Sequence, residues 1–81
     1  MFEKGTWVRV LAPRNWHGSI GVSQGPLIEK DGTVGAFFVV TLFIVKDLNG
    51  VPGRDYLFFP RELEVIDEED VPMYLIAGIG T

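Results

Sequence analysis

Glycine and proline interrupt this sequence so often that it has little room for a long helix. The 81 residues include 10 glycines and 5 prolines, and the runs between them are rich in valine, isoleucine, phenylalanine and tryptophan. Residues 6–11 alternate through Val8 and Val10, and residues 19–24 through Ile20 and Val22, which is typical of strands with one buried face. The chain carries no convincing amphipathic helix and no internal repeat. We therefore expect an all-β fold.

Five strand-like runs can be placed, at residues 6–11, 19–24, 36–45, 56–59 and 63–66. The third, AFFVVTLFIV, is expected to be buried on much of both faces because it is almost wholly apolar. Gly25 and Pro26 are expected to end the second run, and residues 31–32 (Asp-Gly) to form a hairpin turn. Residues 60–62 resemble one helical turn. A sheet this small leaves costly edges unless it closes, so the prediction is a five-stranded barrel over residues 1–67.

Composition limits the classes of protein that this chain can be. Hydrophobic residues make up 47% of it, which indicates one folded domain, and the absence of cysteine excludes disulfides and thiolate metal ligands. The net charge of −4 disfavours non-specific binding of nucleic acid. No signal-like leader is apparent, and the longest apolar run is too short for a membrane-spanning helix. We expect an intracellular, cytoplasmic protein or part of a larger particle, not a secreted protein.

Two stretches resemble a known family of small barrels. The opening GTWVRVL…HGSIGV is similar to the KOW-type start of SH3-like barrels, and FFPRELEVI is similar to their end. Within that superfamily the pattern is nearest to the photosystem I reaction-centre subunit IV proteins, which help to dock ferredoxin. The third run lacks the arginine that this family carries there. The resemblance therefore implies an SH3-like barrel that binds proteins at its loops.

Residue chemistry gives no pattern for catalysis. His17 is the only histidine, and the acidic residues 67–70 are consecutive, which spreads their side chains instead of converging them on a metal ion. Ser19 and Ser23 lie near His17, but no nucleophile elbow surrounds them. The stretch GVPGRD lacks the lysine of a phosphate-binding loop. We expect no enzyme activity, no metal and no cofactor.

The first loop is the strongest candidate for a binding surface. Arg14, Asn15, Trp16 and His17 stand together between two predicted strands, and exposed tryptophan and arginine dominate binding hot spots. Arg54 in the loop at residues 46–55 is expected to assist them. Two roles are open for Trp16: a lid on the end of the barrel, or a contact to a partner.

The tail is the second candidate. Residues 68–81 are predicted to form an acidic spacer followed by an extended apolar arm that contains Met73, Tyr74, Leu75 and Ile76. Such an arm is expected to pack on its own barrel or to add to a neighbouring subunit and make a homo-oligomer.

These observations predict a non-catalytic interaction or assembly module whose partner is another protein or a second copy of itself. One alternative is a KOW-type nucleic-acid-binding domain that uses Lys4, Arg9, Arg14 and Trp16. The other is a peripheral subunit of an electron-transfer complex of the photosystem I subunit IV type.

Overall fold

The protein is a five-stranded antiparallel sheet. A computed structural model describes residues 2–79 of the chain. The strands are β1 (Trp7–Val10), β2 (Ile20–Ile28), β3 (Val34–Ile44), β4 (Arg54–Phe58) and β5 (Leu63–Val65). They lie in the order β4-β3-β2-β1-β5. The all-β prediction is confirmed, and the architecture is compatible with a small barrel-like fold.

Short 3-10 turns join the sheet where the chain changes direction. The turn at Pro60–Glu62 connects β4 to β5, as the sequence predicted. Its start is closed by two bonds: the backbone N–H of Phe59 donates to the Glu62 carboxylate (2.7 Å), and the Glu62 N–H donates to the Phe59 carbonyl (2.9 Å). Proline at the start of the turn fixes φ in the helical range. The chain therefore passes from one edge of the sheet to the other within a few residues.

The core forms from alternate residues of the central strands. Val8 and Val10 of β1 and Val40 and Leu42 of β3 have no exposed surface. Phe2, Phe58 and Leu63 complete the same cluster. Burying one such side chain stabilises a fold by about 1.5–3 kcal/mol. Alternation in the sequence therefore identified the inward face of β1 correctly.

Strand β2 continues through Gly25 and Pro26, so the prediction that these residues end it is wrong. Gly25 adopts a φ of 91°, which is accessible to glycine at little cost. The pairing of β2 with β3 shifts register on both sides of Pro26. These irregularities accommodate a residue that has no N–H to donate, as β-bulges commonly do.

The prediction that residues 36–45 are buried on much of both faces is also wrong. Val40 and Leu42 are buried on one face, whereas the alternate positions 37, 39, 41 and 43 are half-buried and Ala36 is exposed. Pairing with β4 covers only residues 38–42, so the start of β3 extends past its neighbour. Farther along β3, Thr41 meets polar side chains, those of Asp55 and Gln24.

The C-terminal segment is helical where the sequence predicted an extended arm. A 3-10 turn at Glu68–Asp70 leads into a short helix, α1 (Met73–Ile79). Val71 is buried and fixes the segment to the domain, and the N–H of Leu75 donates to the carbonyl of Pro72 (3.0 Å). The last two residues of the predicted arm, 80–81, lie outside the described residues. Across residues 2–79, no helix has the length and apolar character needed to span a membrane.

Candidate functional site

The first loop folds into a compact turn. After the extended Pro13, residues Arg14–Trp16 form a 3-10 turn in which the N–H of Trp16 donates to the carbonyl of Pro13 (2.9 Å). The N–H of Ser19 then donates to the carbonyl of Trp16 (3.0 Å) and leads the chain into β2. Tight turns of this kind give a side chain a fixed direction. The turn therefore holds Trp16 in one place relative to the sheet.

Trp16 packs against aromatic residues of β4. Its ring centroid lies 4.9 Å from that of Tyr56, at 56° between planes, and 6.1 Å from that of Phe58, at 75°. Tilted and edge-to-face contacts at these distances are favourable beyond the area they bury. Trp16 remains half-buried. It therefore covers the edge of the core with part of its surface and leaves part accessible.

The loop at residues 46–53 is attached to the first loop. Asn15 Nδ2 donates to Asp47 Oδ1 (2.8 Å), and the other carboxylate oxygen of Asp47 accepts the N–H of Asn49 (3.1 Å). The N–H of Lys46 donates to the buried hydroxyl of Ser19 (3.0 Å). The structure thus brings together the two loops that the sequence analysis paired.

Tyr56 and Gly50 complete this attachment. The Tyr56 hydroxyl accepts the N–H of Val51 (2.8 Å) and donates to the Val51 carbonyl (3.3 Å). Gly50 lies so close to the indole that an added Cβ would sit 3.3 Å from the Trp16 ring, and it would overlap the Val45 side chain. Position 50 therefore requires glycine for space and not for an unusual φ.

An open aromatic groove of about 340 Å³ lies beside Trp16. Its walls come from the first loop, from β3, from β4 and from the turn that follows β4. The lining residues are Pro13, Trp16, Phe37, Tyr56, Leu57, Phe58, Phe59 and Glu62. At one end Phe37 stacks on Phe59 with centroids 4.3 Å apart and planes at 29°, and the guanidinium of Arg61 lies 4.4 Å from the Phe59 ring centroid. Glu62 is the one charged residue among those that line the groove, and most of the others are apolar or aromatic.

Of the predicted contact residues, Trp16 is the one that lines this groove. Arg14, Asn15 and His17 are exposed on the turn that carries it, and Arg54 is exposed at the start of β4. The predicted arm residues lie on α1, where Met73 and Tyr74 are exposed and Leu75 and Ile76 are half-buried. The predicted contact residues on α1 are therefore not among those that line the groove.

Sequence reasoning missed most of the groove. Tyr56, Phe59 and Glu62 were assigned only to a strand and a turn, and Phe37 only to a buried strand. The available signal was the excess of aromatic residues at the ends of these strands, at 37–38 and 58–59. More aromatic rings stand there than one small core needs, so some of them remain at the surface.

Several other polar groups have structural partners. The Ser23 hydroxyl donates to the Phe2 carbonyl (2.8 Å) and accepts the N–H of Gly25 (3.1 Å). Arg9 forms an ion pair with Glu64 across β1 and β5. Within residues 2–79, no three or more histidine, aspartate or glutamate side chains come together as metal ligands.

No model of a known protein family matches this chain, and neither a curated protein nor a solved structure matches it.

Proposed function

We propose that this chain is a non-catalytic protein-interaction module with an SH3-like barrel, and that its aromatic groove binds an extended, proline-containing segment of another protein. The observation that carries the proposal is the groove beside Trp16, which is lined by aromatic and aliphatic side chains with a single charged residue. A partly open apolar groove with few polar groups is the usual form of a ligand site.

The groove favours an extended peptide over a folded partner. Its volume of about 340 Å³ is at the lower end of the range for ligand sites, so it accommodates a few side chains at a time. Flat rings such as those of Trp16, Tyr56 and Phe59 pack well against proline. Proline-containing segments are also already extended before they bind, which lowers the entropic cost of ordering them.

The charge of the groove indicates that its ligand carries a basic residue. Glu62 is the one charged residue among those that line the groove, and one of its oxygens is used by the N–H of Phe59. The carboxylate keeps further acceptor positions and its full charge. A ligand with an arginine or lysine next to its prolines would complement the Glu62 carboxylate.

Topology supports the barrel that the sequence resemblance implies. The strand order β4-β3-β2-β1-β5 and the 3-10 turn immediately before the last strand agree with that resemblance. Gly21 also packs so tightly on β3 that an added Cβ would overlap the carbonyl oxygen of Thr41. Such close approach is expected where a small sheet curves strongly.

The same groove disfavours the nucleic-acid alternative. Arg9, one of the cations on which that alternative depends, is paired with Glu64. Glu62 places a negative charge in the groove, and the chain as a whole carries −4. Phosphate backbones bind through unpaired basic residues, so a protein ligand is the better candidate.

The start of α1 is a second proposed contact. Met73 and Tyr74 are adjacent and 79% and 68% exposed, so they offer a methionine and an aromatic ring to a partner. We assign them an auxiliary role in assembly, because they do not line the groove.

The proposal is tested by calorimetric titration with a short synthetic peptide of prolines and leucines that ends in one arginine. Leu57 lines the groove and is 47% exposed, so Leu57→Lys removes apolar contact and repels a basic ligand without opening the core. We expect this change to weaken binding by about 10-fold or more. The matched control is Val65→Lys, which alters a similarly exposed strand residue (58%) outside the groove lining and should leave binding unchanged.

Glu62→Gln tests the negative charge of the groove while keeping the hydrogen bond that closes the turn. The amide oxygen of glutamine can still accept the N–H of Phe59, while the negative charge is lost. We expect weaker binding of the arginine peptide and no change for the same peptide with a neutral end. Absence of binding by the unmodified protein, or equal binding by the Leu57 and Val65 variants, would contradict the proposal.

A further inference from the structure

The groove runs along the outer edge of β4. Successive residues of a strand point to opposite faces of its sheet. Tyr56, Leu57 and Phe58 are successive residues of β4, yet all three line the same groove. A groove that lay over one face of the sheet would meet only alternate residues. The groove therefore follows the edge of the strand, where side chains from both faces reach it.

This edge has unpaired backbone groups. β4 is an outermost strand of the sheet, and within residues 2–79 it pairs with β3 alone. Over the same residues, no turn or loop forms a backbone hydrogen bond to Arg54–Phe58. In an antiparallel pair, every second residue directs its N–H and C=O away from the partner strand. Such groups in β4 are a template for a further strand.

The segments around β4 contact its side chains and leave that backbone unpaired. Trp16 packs on the ring of Tyr56, and the Tyr56 hydroxyl bonds to the backbone of Val51. Phe59 stacks on Phe37, but only after β4 has ended. These contacts form walls of the groove, and the edge of β4 lies between them.

We infer that the ligand binds as an added strand, through main-chain hydrogen bonds to the outer edge of β4; this rests on the proposed function and specifies its geometry. The occupant is an extended segment of another protein. Each of its residues that faces β4 must donate an N–H, so prolines fit only at the alternate positions that face away. Side chains on one face of the segment then meet Trp16 and Tyr56, and those on the other face meet Leu57.

Charge favours a basic segment of another protein over a second copy of β4. Glu62 lines the groove, whereas the neighbouring Arg61 lies over the Phe59 ring and is not among the lining residues. A second β4 would bring both Arg54 and Asp55, charges of opposite sign, so it would gain no net attraction. A segment with one basic residue and no acid complements the Glu62 carboxylate.

Two arginine-ended peptides of identical composition test this mode of binding, by calorimetric titration with the full chain. In one peptide leucine and proline alternate, which leaves every N–H on the same edge. In the other the prolines are contiguous, which interrupts both edges. We expect the contiguous peptide to bind about 10-fold more weakly. Replacing one internal leucine amide of the alternating peptide by an ester, which removes the N–H and keeps the shape, should weaken binding by about 2- to 10-fold.

Hydrogen exchange locates the contact on the protein. With the alternating peptide bound, the β4 amides that exchange fast in the free protein should slow, and those of β5, at the other end of the strand order, should not change.

Equal or tighter binding of the contiguous peptide, or an ester that costs nothing, would overturn the inference and leave the groove as a binding site. Protection of β4 that rises with protein concentration in the absence of peptide would overturn it in favour of a second copy. No binding of either peptide would contradict the proposed function itself and the inference with it.

Discussion

The indole of Trp16 and the phenol of Tyr56 lie 4.9 Å apart between ring centroids, although forty residues separate them in the chain. This contact brings together the first loop and β4, which form two of the walls of the groove. It also joins the groove to the loop at residues 46–53, because the Tyr56 hydroxyl bonds to the backbone of Val51. A single pair of rings therefore connects both loops to the proposed binding surface.

Tyr56→Phe should destabilise the protein by about 0.5–1.5 kcal/mol, since it removes the hydrogen bonds to Val51 and keeps the ring that packs on Trp16. Urea unfolding followed by circular dichroism measures the change. Tyr74→Phe is the matched control: Tyr74 is 68% exposed, so the free energy of unfolding should change by less than about 0.5 kcal/mol. Equal losses in the two variants would show that the Val51 bonds contribute nothing.

Gly50→Ala should displace the Trp16 ring and cost about 1–3 kcal/mol, because the new methyl group overlaps Val45 and crowds the indole. The indole N–H resonance of Trp16 reports the displacement. Gly53→Ala is the comparison, since that position has a φ of 85° but open space around it. It should cost about 1–2 kcal/mol of backbone strain and leave the Trp16 resonance in place. An unmoved Trp16 resonance in the Gly50 variant would contradict the packing described.

Asp47→Ala should loosen the connection between the two loops. The carboxylate accepts bonds from Asn15 and from the N–H of Asn49, so hydrogen exchange at the amide of Asn49 should become faster. Asp67→Ala is the control, because the Asp67 side chain makes no capping bond to the turn that it precedes. If exchange at Asn49 were the same in both variants, Asp47 would not hold the loop.

The carboxyl of Asp31 should titrate below its ordinary pKa of 3.8, because the hydroxyl of Thr33 and the Thr33 N–H both donate to it. Bonds to the ionised form stabilise the fold above the unfolded pKa, and that contribution is lost as the pH falls through the lower folded pKa. Thr33→Val removes the hydroxyl and should raise the Asp31 pKa towards 3.8, whereas Thr33→Ser should keep it low. Carbon-detected NMR titration measures both, and an unshifted Asp31 in the unmodified chain would contradict the account.

Local patterns predicted the strands and one turn well. Alternation placed Val8 and Val10 in the core, and proline followed by two helix-compatible residues placed the turn at Pro60–Glu62. Patterns failed where neighbouring strands decide the outcome. Pro26 stays within β2 because the pairing with β3 shifts register around it. Ala36, at the start of the predicted buried run, is exposed because the pairing with β4 covers only residues 38–42. Neither property can be predicted from the local sequence alone.

The proposed binding surface was only partly predictable for the same reason. Trp16 could be identified because an aromatic residue in a polar loop is unusual. Tyr56, Phe59 and Glu62 could not, because each is ordinary in its own strand or turn and acquires a role only when folding brings it beside Trp16. The segment after Asp70 was predicted to be extended and is helical from Met73, since a short apolar run suits a strand or a helix equally.

Mapping of amide and indole NMR shifts during titration with the arginine-ended proline peptide tests the central claim most directly. We predict saturable shifts of the Trp16 indole N–H and of the amides of Phe37, Leu57 and Phe59, with small changes at the Trp7 indole, which packs on Phe43 outside the groove lining. Shifts confined to other surfaces, or no saturable shifts at all, would contradict a peptide-binding groove at Trp16.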